Sequence, residues 1–114
     1  MTLERIIELQ KDYGVTGTQK GINTGEIWKF EGSVGRFAME MIEGGVCFLP
    51  EERTQDYYGN VIPSRNDLQP GTKGTLENAE NFWQKVEDGD FEAIEYLEGT
   101  FAPENNVIDF PEEE

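Results

Sequence analysis

Residues 26–64 read EIWKFEGSVGRFAMEMIEGGVCFLPEERTQDYYGNVIPS, and the fold turns on whether this stretch pairs as strands or coils as helix. Glu26 to Glu31 alternates, with Trp28 and Phe30 on one side and Ile27 and Lys29 on the other, as in a half-buried strand. Residues 34–43, VGRFAMEMIE, fit two periods. Val34, Phe37, Ala38, Met41 and Ile42 match a helix, whereas Phe37, Met39 and Met41 match one face of a strand. Two downstream features favour the strand. Gly44-Gly45 has the composition of a two-residue hairpin loop, and Val46-Cys47-Phe48-Leu49 has that of a strand. Gly59-Asn60, between Tyr57-Tyr58 and Val61-Ile62, is a second hairpin signal, with Gly placed for a type II′ turn. The expectation is an antiparallel sheet over about residues 26–64.

Helices flank it. Thr2 is placed to cap a helix over residues 3–13, with Leu3, Ile6 and Ile7 inward and Gly14 as its stop. Residues 15–25, VTGTQKGINTG, read as a loop because Gly17, Gly21 and Gly25 punctuate them. After the polar run 64–74, Thr75 caps a helix whose apolar stripe is Leu76, Ala79, Phe82, Trp83 and Val86. Gly89 ends it, and Asp90 opens a shorter helix lined by Phe91, Ala93, Ile94 and Leu97 and ended by Gly99. Val107, Ile108 and Phe110 offer a further edge strand, and residues 111–114 read as an acidic disordered tail. The predicted fold is α+β: one domain over 1–110, an antiparallel sheet packed by one N-terminal and two C-terminal helices. A sheet with one face uncovered pairs with a copy of itself, so Trp28 and Phe30, with Phe37, Met39 and Met41, suggest a homodimer.

Charge sets the class of partner. The 24 acidic and 9 basic residues give a net charge of −15. Residues 1–73 carry 8 basic and 11 acidic groups; residues 74–114 carry Lys85 against 13 acidic groups. Such a field opposes direct nucleic-acid binding and anionic membranes and attracts basic surfaces. No apolar run reaches membrane-spanning or signal-peptide length, and the single Cys47 fits a reducing compartment, so a cytoplasmic protein is expected.

Catalytic chemistry finds little footing. With no histidine in the chain, neither a Ser-His-Asp nor a Cys-His nucleophile can be assembled, and histidine metal ligation is excluded. Cys47 sits inside an apolar run, as a small hydrophobe does. Lys20 precedes Gly21 instead of following it, which breaks the phosphate-loop pattern. An EF-hand register on Asp88-Gly89 places Glu95 correctly but puts Gln84 and Val86 where carboxylates are needed. Glu40 and Glu43, with Trp28, Tyr57 and Tyr58 as sugar-stacking rings, would be a glycosidase-like pair. That gives the alternative reading: a small-ligand or carboxylate hydrolytic domain whose acidity only confers solubility.

No motif ties the chain to a known family. The sequence favours a non-enzymatic module, needing no cofactor or metal, that binds a basic protein surface as an inhibitor or nucleic-acid mimic does. Its partner-binding candidates are Tyr57 and Tyr58, as aromatic anchors, and Glu92, Glu95 and Glu98. On a helix these carboxylates stand a turn apart, about 5–6 Å from each other.

Overall fold

The Thr2 hydroxyl accepts the Arg5 N–H at 3.1 Å, and from that cap α1 runs over Leu3–Asp12 with Ile6, Leu9 and Gln10 buried. The computed structural model describes residues 1–30 and 32–101. The expected helix at 3–13 is therefore present, although Leu3 and Ile7, expected inward with Ile6, are exposed; the expected loop after it is absent. Thr16–Thr24 is α2, because Val15, Thr18, Gln19 and Ile22 recur at helical spacing and are buried together. Its glycines lower helix propensity by roughly 1 kcal/mol each relative to alanine, and burial of that face offsets the cost.

The sheet expected over 26–64 shrinks to one hairpin. Glu26–Lys29 is a 3-10 turn, and its consecutive residues Ile27 and Trp28 are both buried while Phe30 is 48% exposed. Alternation along a strand does not allow that pattern. Residues 33–44 are α3 (Ser33–Gly44), with Ala38, Met41 and Ile42 buried and Val34 and Phe37 packed beside them. The helical period wins, and the glycine pair stops the helix instead of turning a hairpin. Gly45 has φ +89° and its N–H bonds to the Ile42 carbonyl at 3.2 Å. A Cβ there would lie 2.9 Å from the Asn78 carbonyl oxygen and 2.9 Å from the Phe82 Cβ, so glycine also lets the chain pass against the next helix. With Trp28 in a turn and Phe37, Met39 and Met41 on a helix, the sheet faces on which the homodimer was to form do not exist.

Val46–Leu49 runs through the core with all four residues buried and, among the described residues, no strand beside it. Side chains and scattered backbone groups take the place of neighbouring strands. The Val46 carbonyl accepts from Gln10 Nε2 and from Trp83 Nε1, each at 3.0 Å. The Gln19 amide pairs both ways with Phe48: its Oε1 accepts the Phe48 N–H at 3.1 Å and its Nε2 donates to the Phe48 carbonyl at 2.9 Å. Gln10 Nε2 also donates to Gln19 Oε1 at 3.0 Å, which fixes the orientation of both amides. Cys47 N–H donates to Met41 O and Leu49 N–H to Gly74 O, each at 3.0 Å. Arg65 donates to the Leu49 carbonyl at 3.0 Å, and its guanidinium lies 5.6 Å over the Phe48 ring. Buried backbone groups are as a rule paired, and the two core glutamines supply partners to this segment.

The strand content of the described residues is β1 (Thr54–Gln55) and β2 (Val61–Ile62), antiparallel, with Thr54 opposite Ile62 and Gln55 opposite Val61. The C-terminal helices follow the sequence closely. Thr75 accepts the Asn78 N–H and starts α4 (Leu76–Glu87), which buries Ala79, Trp83 and Val86. Asp90 accepts the Ala93 N–H and starts α5, which runs past Gly99 over Phe91–Phe101. Arg5 of α1 grips Glu87 of α4 through both carboxylate oxygens. The class is α+β in a single domain, with one N-terminal and two C-terminal helices as expected and two further helices where strand and loop were expected. The edge strand expected at Val107, Ile108 and Phe110 and the tail at 111–114 lie outside the described residues.

Candidate functional site

Asp56 builds the tip of the hairpin. One carboxylate oxygen accepts the N–H groups of Tyr58 at 2.9 Å and Asn60 at 2.8 Å, and the other accepts the Asn60 side-chain amide at 3.2 Å. Asp56 and Asn60 also pair through the backbone at 2.9 Å. The loop is therefore Tyr57–Gly59, three residues closed by Gly59 at φ +86°, in place of the expected two-residue turn at Gly59-Asn60. Partial desolvation pushes the Asp56 carboxyl up, but the N–H donors of Asn60, Tyr58 and Gly59 together outweigh it and hold the group below its ordinary range.

The two candidate tyrosines thus sit in a loop, not a strand, and both face solvent, at 54% and 75% exposure. Their rings meet edge to face at 5.0 Å. Between this tip and α3 lies a groove of about 370 Å³. Its buried members are Trp28 and Ile62, its exposed apolar members Phe30, Met39, Tyr57 and Tyr58, and its charged members Arg36 and Asp56. Glycines 32 and 35 complete the lining. The Trp28 indole N–H is buried and has no acceptor among the described residues.

A second surface lies on α5. Glu92, Glu95 and Glu98 are exposed, and none takes part in the ion pairs among the described residues, which join Arg5 to Glu8 and Glu87, Arg53 to Asp67, and Arg65 to Glu51. Phe91, expected inward, is 74% exposed. At about 100° per residue it points away from the buried Ala93 and falls within about 60° of Glu95 and Glu98. The result is an aromatic ring in line with two carboxylates, Glu92 at the edge. On α4, by contrast, Glu87 is held by Arg5, and Asp88 at its end accepts from Gln84. Burial first, and then the Glu40 carboxylate, push the Tyr96 hydroxyl up on the neighbouring face of α5. None of the residues lining the groove comes from α5, so the five sequence-predicted partner residues divide between two surfaces.

Glu40 and Glu43 are exposed on α3 and do not line the groove, whose carboxylate, Asp56, is occupied by its own loop. Burial pushes the Cys47 thiol far above its ordinary value, the opposite of what a nucleophile needs. Among the described residues no three histidine, cysteine, aspartate or glutamate side chains converge as metal ligands. No helix among them is long and apolar enough to cross a membrane. No protein-family model matches the chain, and no curated protein and no solved structure is significantly similar to it.

Proposed function

We propose that this protein is a non-enzymatic interaction module whose fifth helix engages a basic protein surface. The observation that carries the reading is the line of Phe91, Glu95 and Glu98, an exposed ring beside carboxylates without ion pairs among the described residues. An aromatic anchor of this kind contacts lysine and arginine through its face while the carboxylates take the charge. Residues 74–114 carry Lys85 as their one basic side chain, so the local field steers cations inward. Carboxylates a turn apart approximate the spacing of phosphates on a nucleic-acid strand, which makes a nucleic-acid-binding protein the fitting kind of partner.

Selection of a random-peptide display library on the purified protein tests this. Enriched peptides should be rich in lysine or arginine, and raising ionic strength from 50 to 500 mM should weaken them about tenfold or more. Binding should be lost on Glu92→Lys, Glu95→Lys and Glu98→Lys together, and weakened by Phe91→Ala. Enriched peptides lacking basic residues, or binding indifferent to the triple reversal, would overturn the reading.

A further inference from the structure

We propose that the groove between α3 and the hairpin is a docking site for this chain's own residues 107–110, Val-Ile-Asp-Phe. The groove is apolar and open: Phe30, Met39, Tyr57 and Tyr58 line it and are all exposed. Its one charge open to an occupant is cationic. The Asp56 oxygens are consumed by the loop's own N–H groups, whereas Arg36 has no carboxylate partner among the described residues. In a protein of net charge −15 that is an unusual wall, and it fits an apolar segment with acidic flanks.

The chain supplies such a segment within reach. The last described residue, Phe101, packs edge-on against Phe37 of α3 at 5.8 Å between ring centroids. Helix α3 also contributes Gly35, Arg36 and Met39 to the groove. A helix with its side chains is about 10–12 Å thick. The six residues from Phe101 to Val107 extend to about 20 Å, enough to pass from the Phe37 side of α3 to the Met39 side. In an extended segment Ile108 and Phe110 share one face, an apolar pair two residues apart. Asp109 and Glu112 to Glu114 provide the carboxylates for Arg36. A second copy of the chain is the poorer occupant, because two molecules of this charge repel while a tethered segment meets the groove at high effective concentration.

The test uses the full-length protein, comparing backbone amide spectra of wild type with Ile108→Asp/Phe110→Asp. The amide signals of Met39, Tyr57 and Tyr58 and the Trp28 indole N–H should move, while those of Ile6 and Ala79 stay and so certify the fold. Arg36→Glu should move the same groove signals in the same direction. A nitroxide placed through Glu114→Cys, with Cys47 buried and unlabelled, should cost the groove amides their intensity. Groove signals unchanged by the tail substitutions, or undimmed by the label, would overturn the proposal. So would groove signals that shift with protein concentration, which would make the occupant a second copy. The outcome does not depend on whether α5 binds a basic partner.

Discussion

Two segments with strand composition met different fates. Val46–Leu49 lies in the core and has no strand beside it among the described residues; the hairpin at 54–62 pairs as strands but is largely exposed. The first is satisfied from outside, by side chains of Gln10, Gln19, Trp83 and Arg65. The second is satisfied from within, by Asp56 and its own ladder. The difference teaches that β-type composition reports burial and extension, and that pairing depends on which donors and acceptors the rest of the chain delivers.

Gln19→Leu breaks the first arrangement directly. It leaves the Phe48 N–H and carbonyl buried without their partners, at roughly 1–3 kcal/mol for each group. A loss of about 3–5 kcal/mol is expected, read as a lower urea midpoint with an unchanged slope. If the loss is below about 1 kcal/mol, water reaches this segment and the glutamine is not its support.

Hydrogen exchange sharpens the contrast without mutation. The Phe48 and Leu49 amides should exchange only through global unfolding, and those of the hairpin through local opening. A gap of at least about a hundredfold, roughly 3 kcal/mol, is expected between the two sets. Equal protection would mean that the hairpin and the core segment open as one unit.

Gly45→Ala tests the stop that sends the chain into the core. The left-handed conformation and the contacts with Asn78 and Phe82 together should cost roughly 2–4 kcal/mol in thermal or urea unfolding. Gly59→Ala, in open space at a similar φ, should cost less, because only the backbone term applies.

The smallest effect is on acid stability. Asp67 is lowered to about 2, chiefly by the Arg53 guanidinium and also by the Ser64 N–H, and Asp56 is lowered by its loop. Both bind a proton less readily folded than unfolded. Their contribution is therefore complete above the ordinary value of 3.8 and is lost as pH falls from there toward about 2. Asp67→Asn should flatten the stability profile across that window and leave it unchanged at pH 7 in shape.

The parts legible in the sequence were those with local signals. Thr75 and the Leu76–Val86 stripe specify α4 within a dozen residues, and Thr2 and Asp90 likewise mark the starts of α1 and α5. Residues 34–43 carried the helical period openly, but Gly44-Gly45 serves a helix stop as well as a hairpin, and nothing local separates the two. The buried glutamines were not legible. Gln10 and Gln19 act on backbone 36 and 29 residues away, and an amide side chain in a helix ordinarily reads as surface. Of the site, the exposure of Glu92, Glu95 and Glu98 followed from local polarity, whereas Tyr57 and Tyr58, read as adjacent strand residues on opposite faces, are both exposed because they lie in the loop. The groove did not, because Arg36 and Met39 face the hairpin only once α3 is a helix. Phe91 was lost for a similar reason: its angle relative to Ala93 opposes burial, but a count of apolar residues does not register angle.

The Val46 carbonyl has one further consequence, for the order of assembly. Its two donors come from Gln10, 36 residues earlier, and Trp83, 37 residues later. Neither flank can close the core while the other is absent, and loops of that length are slow to form before contacts reward them. The acceptor sits at the midpoint of a clasp whose two arms must arrive together, so N-terminal and C-terminal halves stand or fall in one cooperative transition. A nascent chain that has not yet delivered Trp83 holds an apolar segment whose Val46 carbonyl lacks one of its two donors, and in that interval it is exposed to aggregation.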